Sequence, residues 1–294
     1  MDLHAIKIKG PLNLDPKLPP LPRTVVEVAR IMSRPHPEEY LHEILDVVEA
    51  DPITVHYILK RVNSAYYGLR KPIGNVKQAV TLLGFIEVVN LVMTAGLIQL
   101  GHIFKATEQR SIFYMIIRHS VAAARFADML SRQYQKLFMD YGYATVLLHE
   151  MGRIILLYNE PDIYEALWMT MEEGRGFPPS SAEESVFGLS FVEVGEQAFS
   201  HWKFPEEMGI AVRHQEKPGV LKAEHPDVYP LALLVGGSCA AIHDLQGTNV
   251  YNEEWNDELL EELAEELGIT VEEIRAFIKQ NAGKIRSFVY TVLQ

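Results

Sequence analysis

The 294-residue sequence holds one cysteine, Cys239, so no disulfide can close within it and a reducing compartment is the environment it suits. It has no Cys-x-x-Cys, Gly-x-Gly-x-x-Gly, P-loop or Gly-x-Ser-x-Gly motif, which leaves thiol catalysis and nucleotide transfer without their usual sequence machinery. Cys239 lies in a small-residue apolar stretch and reads as an inert buried thiol. No repeat of about 34 residues is visible, which argues against a helical solenoid of that kind. No uninterrupted apolar run approaches about 20 residues, and Met1–Gly10 is too polar for the apolar core of a signal peptide, so a cytoplasmic protein is expected. Positive charge is scarce: 27 Lys and Arg face 39 Asp and Glu, a net charge of −12. Much of the excess lies in Glu253, Glu254, Asp257, Glu258, Glu261, Glu262, Glu265, Glu266, Glu272 and Glu273. Such a surface repels phosphate backbones and anionic lipid, so neither nucleic acid nor a membrane is an expected partner.

What is present is an apolar pattern of helical period. Hydrophobic residues make up 48% and charged residues 22% of the chain, enough for two modest cores. Residues 1–17 carry Gly10, Pro11 and Pro16 without periodicity and read as an arm. The prolines of Leu18-Pro19-Pro20-Leu21-Pro22 then fix an extended segment that positions a helix starting near Thr24. Leu41, Ile44, Leu45 and Val48 stripe a second helix, and Asp51-Pro52 has the cap chemistry of a third. Further helices over 76–83 and 85–100 complete a first half spanning 18–100, and Gly101–Arg110 reads as the connection to a second half over 111–245. Ser181 with Glu184 and Ser190 with Glu193 have the spacing of capping boxes. Residues 252–294 read as a helical hairpin with Gly268 at its turn and Thr270 and Glu273 capping its second helix. The acidic outer face argues against a helix-turn-helix DNA reader.

The chemistry concentrates in Leu147-Leu148-His149-Glu150-Met151-Gly152. This stretch lies in an apolar run, 146–158, that reads as one helix buried on most sides, with Glu150 placed to meet Arg153 at i+3. Adjacent residues of a helix diverge by about 100°, so His149 and Glu150 would reach a common ion only at a junction of several helices. His119 lies on another core-facing helix stripe, with Met115, Ile116, Ala122, Ala123 and Phe126. Two His and one Glu can hold a single divalent ion.

The His…His-acid arrangement resembles the HD-domain phosphohydrolases. The succession Leu18-Pro19-Pro20-Leu21-Pro22, Asp51-Pro52, Asn63-Ser64-Ala65 with Tyr67-Gly68, and Gln78-Ala79-Val80 with Leu83-Gly84 is closer to the HDOD family, the HD-related output domain of bacterial signalling proteins. The later Gly195, Trp202, Pro205 and His214 extend the resemblance through about residue 245. It implies an all-α fold, with an N-terminal helical subdomain packed on a degenerate HD-like helical subdomain, and a non-catalytic role exercised through a protein partner. The metal-ligand positions are depleted. Phe191 stands where metal-binding relatives carry His, His214 is followed by Gln215 and Glu216, and Gly236-Gly237-Ser238-Cys239 occupies the region where a second acid belongs. No catalytic residue and no cofactor is therefore expected. A divalent Fe, Mn or Zn, if bound, would be held by His119, His149 and Glu150. A metal-dependent phosphohydrolase of a nucleotide or cyclic dinucleotide is the alternative, and a small-molecule sensor a third. Asn63 is the first candidate for a pocket or interaction residue in the N-terminal half.

Each half is short and its helices carry stripes that the other must cover, so the two should fold as one cooperative unit. A chain ending at Gln109 is expected to lack a sharp thermal transition and dispersed amide resonances, measured by calorimetry and two-dimensional NMR.

Overall fold

The computed structural model describes residues 17–34, 36–134, 141–171, 177–242 and 253–293, and every described element is helical. The expected arm lies almost wholly outside the described residues. The first half contains α1 (Arg23–Met32), α2 (Leu41–Glu49), α3 (Pro52–Val62), α4 (Val76–Leu83) and α5 (Phe85–Gln99). α5 is its centre, with α1, α3 and α4 packed around it. Residues Phe85–Ile103 are long and apolar enough to cross a membrane by length and composition, yet 72% of that stretch is buried inside the protein. Its apolarity is explained by its central place in the core.

The second half runs through α6 (Thr107–Tyr134), α7 (Gly142–Leu148), α8 (Met151–Asn159), α9 (Pro161–Met169), α10 (Ser180–Phe187), α11 (Phe191–His201), α12 (Glu206–Arg213), α13 (Leu221–Glu224) and α14 (Tyr229–Ala241). α6 packs on α7 and α14, α8 on α11, and α12 on both α11 and α14. The C-terminal pair is α15 (Glu253–Leu267) and α16 (Val271–Leu293). α15 lies on α14, while α16 packs on α6 and on α5. The hairpin thus touches both halves. Tyr57 Oη and Arg61 Nη2 of the first half donate to the Val292 carbonyl at 2.7 and 3.2 Å.

One continuous hydrophobic core runs from Val25 to Val292. An ionic network crosses it at the meeting of the halves. Arg125 Nη1 on α6 lies 3.0 Å from both Glu87 of α5 and Asp128, Tyr67 donates to Glu87 at 3.0 Å, and Arg125 also stacks over Phe288 of α16. Each charge in this largely buried group has an opposite partner, which offsets the cost of removing it from water.

Local chemistry accounts for several helix boundaries. Ser190 and Glu193 form the expected capping box, Thr270 and Glu273 bond in the same reciprocal way, and Gly268 takes the left-handed φ of 71° that ends α15. The box expected at Ser181 and Glu184 does not form. α10 begins two residues earlier than such a box would start it, after Pro179, and it is Glu183 that turns inward. α9 opens with Pro161 at its first position and stops at Met169.

Asp51 caps α3 as its sequence context predicts. Its carboxylate accepts from the Ile53 and Thr54 amides at 3.1 and 3.2 Å and from the Thr54 and Thr24 hydroxyls at 2.6 and 2.9 Å. Partial burial raises its pKa, but these donors outweigh burial and hold the group below its ordinary value. The stabilisation is therefore full above the ordinary carboxylate range and is lost as pH falls through the depressed value. Asp51→Ala should cost about 1–2 kcal/mol near neutral pH, with the deficit shrinking below about pH 4; urea unfolding across that range checks both.

Candidate functional site

The stretch 146–158 is two helices, not one. α7 ends at Leu148, His149 and Glu150 form the joint, and α8 starts at Met151. This break removes the 100° divergence of adjacent helical residues and lets both side chains enter one site. His149 Nε2 lies 3.2 Å from Glu150 Oε1, and His119 Nε2, arriving from α6, lies 3.9 Å from the same oxygen. His149 Nδ1 donates to the Val146 carbonyl at 2.5 Å. Since Nδ1 faces a carbonyl it must carry the proton, which in the neutral ring leaves Nε2 with its lone pair toward the site. α8 can approach α11 this closely because residue 152 is glycine: a Cβ there would fall 1.8 Å from the Phe191 carbonyl oxygen.

Arg153 is fully buried and lies between two carboxylates. Its Nε donates to Glu150 Oε2 at 2.5 Å, in the i+3 pairing expected from the sequence. Its Nη1 bonds to Glu183 and, at 2.7 Å, to the Pro178 carbonyl. Glu183 also accepts from Tyr164 Oη and from the Phe191 amide, each at 3.0 Å. The Phe191 ring stacks on the guanidinium at 3.7 Å, and Phe177 lies against another side. A cation with aromatic walls thus stands beside the two acids of the site.

Burial and charge pull the ionisable groups in opposite directions. Burial works to raise the Glu150 carboxyl, but Arg153 and His149 beside it hold it well below the carboxylate range. Burial works to lower His149, but Cys239 and Glu150 outweigh it and the imidazole is pushed up to about 10. This field favours a positive charge at His149, in contrast with the neutral ring that hydrogen bonding alone would suggest. For Glu183, burial outweighs Arg153 and the donors from Phe191 and Tyr164 and pushes the carboxyl up to about 7.

The expected residues divide into two groups. His119, His149 and Glu150 meet. His214 stands apart as the half-buried C-cap of α12, its pKa lowered by burial and by Arg213. The next residue, Gln215, turns inward instead, and its Nε2 donates to Val212 O at 3.0 Å and lies 3.5 Å from the His149 carbonyl. Asn63 is also elsewhere. Its amide clasps the backbone of Ile73 from both sides, at 2.8 and 2.9 Å, and so fixes the connection from α3 to α4.

Three participants escape a reading of the sequence. Cys239 brings its Sγ to 3.1 Å from His149 Nε2, and the donor atoms of His119, His149 and Cys239 lie within 4.8 Å of one another. Its place in the α14 stretch that lacks an acid was the available signal. Glu183 shares a helical face with Val186 and Phe187 at i+3 and i+4, a pattern that marks burial. Tyr164 gave no signal beyond its place on the apolar stripe of α9. The donor set does not fit an oxygen-rich catalytic metal pair. Its two carboxylates are both bound by Arg153, whose guanidinium is covered by the Phe191 ring.

An all-helical fold with a His-acid pair at a buried helix joint defines an HD-related protein. Residues 18–218 match the HDOD domain, and the chain belongs to that family. A crystal structure of an HDOD domain protein of unknown function from Geobacter sulfurreducens aligns with a TM-score of 0.76 at 18% identity, covering 94% of this chain and 93% of that one. A protein from Shewanella amazonensis, provisionally named a phosphohydrolase, aligns with a TM-score of 0.63 at 15% identity over 94% and 95% of the two chains. One from Marinobacter aquaeolei, provisionally named a signal transduction protein, gives 0.69 at 21% identity over 99% and 63%. At these identities the likeness is one of fold. An uncharacterised protein of Treponema pallidum (strain Nichols) is 25% identical over 240 residues, 80% of this chain. The chain spans 44% of the length of that curated relative.

Removing Arg153 strands two buried carboxylates, so Arg153→Met should cost about 3–5 kcal/mol. Adding Glu150→Gln and Glu183→Gln to that variant should recover most of the loss. Urea unfolding midpoints check the pair of results; a loss no larger than that of an exposed ion pair, about 1 kcal/mol, would show that Arg153 does not hold the site.

Proposed function

We propose that this chain is a regulatory module of a bacterial signalling pathway that acts in the cytoplasm by binding another protein and not by catalysis. One observation carries the reading: the groups that would do HD-type chemistry are sealed and internally neutralised. His119, His149, Glu150, Arg153 and Glu183 are each at most 1% exposed, and the Arg153 guanidinium holds both carboxylates. Phosphoryl transfer needs cations free to neutralise developing negative charge and a path for substrate and water. Here the cation is a side chain spent on its own acids. The signal-transduction name of the Marinobacter protein agrees in kind with this reading.

The purified chain, supplied with Mn²⁺ or Fe²⁺, is expected to release no phosphate or alcohol from phosphomonoesters, phosphodiesters or cyclic dinucleotides above buffer. Turnover that His149→Ala abolishes would replace this proposal with the metal-dependent phosphohydrolase. A pull-down from native cytoplasm should recover a protein partner. Glu261 and Glu265 are exposed on α15, so reversing both to Lys should alter stability by roughly 0–1 kcal/mol and leave partner capture intact, measured side by side with the unmodified chain.

A further inference from the structure

Four donor groups of the kind that bind zinc converge from three segments: His119 from α6, His149 and Glu150 from the α7–α8 joint, and Cys239 from α14. The sequence alone offered three of them and left the thiol aside. We propose that these four side chains form a closed site for one Zn(II) ion with a structural role, tying α6 and α14 to the joint.

The distances suit it. His149 Nε2 lies 3.1 Å from Cys239 Sγ and 3.2 Å from Glu150 Oε1, and His119 Nε2 lies 3.9 Å from Glu150 Oε1. A tetrahedral zinc with bonds of about 2.0–2.3 Å has donor-to-donor edges of about 3.3–3.8 Å; the donors of His119, His149 and Cys239 already lie within 4.8 Å of one another, and Glu150, which meets both histidines, completes the set by rotating its carboxylate toward them. The surroundings already orient the donors. The Val146 carbonyl holds the Nδ1 proton of His149 and so aims Nε2 inward, while Arg153 takes Oε2 of Glu150 and leaves Oε1 toward the histidines. Outer contacts of this kind accompany bound metals.

Charge and donor softness agree. When Zn(II) binds, the zinc–sulfur and zinc–nitrogen bonds form, and the protons held on Cys239 Sγ and on His149 Nε2 leave to solvent. The thiolate and the Glu150 carboxylate then balance the dication, with Arg153 and Glu183 balancing each other, so the buried group carries no net charge. Thiolate and imidazole favour zinc over manganese or magnesium. Four protein donors leave no position for a reactive water, the mark of a structural site. The inference is thus compatible with a non-catalytic module but does not depend on it.

The test uses the full chain, reduced, stripped with a chelator and titrated with Co(II) and then Zn(II). About one equivalent of Co(II) should bind with intense tetrahedral visible bands and a thiolate-to-cobalt absorption in the near ultraviolet, and one equivalent of Zn(II) should abolish both. The thermal midpoint of the stripped chain should rise on adding Zn(II). Cys239→Ser should lose the thiolate band and bind Zn(II) at least about tenfold more weakly in competition with a chromophoric chelator. His119→Gln should weaken binding but keep the thiolate band. No thiolate band in the unsubstituted chain at saturating Co(II), a reading that requires no variant to fold, would overturn the proposal. So would a Zn(II) affinity unchanged by Cys239→Ser.

Discussion

A single buried guanidinium sets the terms for the second half of this molecule. Arg153 neutralises Glu150 across one turn and Glu183 from a separate helix, and it is walled by Phe177 and Phe191. Three charges in a dry interior are costly one by one and tolerable together. α8, α10 and α11 are consequently held in one register, because a shift of any of them uncovers a carboxylate or an arginine. The carbonyl of Pro178 and the amide of Phe191 complete the set and bind backbone as well as side chains.

Much of this was legible in the chain. Cap chemistry at Asp51, Ser190 and Thr270 is local, so short stretches of sequence contain all its parts, and those boundaries are where the residues place them. The Glu150–Arg153 pair was legible for the same reason. The break at His149-Glu150 was not, because an apolar run with helical spacing looks the same whether or not a turn interrupts it. Contacts made by tertiary folding were equally hidden. Nothing near Glu183 in the sequence announces Arg153, thirty positions away, and Cys239 gains its meaning only when α14 reaches the joint. A Ser-x-x-Glu pattern at 181–184 matched a capping box, yet Pro179 set the helix start and the neighbouring acid proved the one that matters.

The HDOD family assignment and the site geometry speak to different questions. The family fixes the arrangement of helices, over which the Geobacter structure aligns nearly end to end. The site adds what the family does not fix: Phe191 stacks on Arg153, the Gln215 amide lies by the His149 carbonyl and the Cys239 thiol by the His149 ring. A common scaffold can host different sites.

The contact between α3 and α16 has a kinetic consequence. Tyr57 and Arg61 bond to the carbonyl of Val292, more than 230 residues further along the chain. Contacts of such long sequence separation form late, because loop closure comes at an entropic cost before the contact is gained. During synthesis the early helices emerge long before α16 exists, and a face of α3 and α5 stays uncovered until it arrives. The N-terminal half is thus completed only once α16 has been made and has folded back across it.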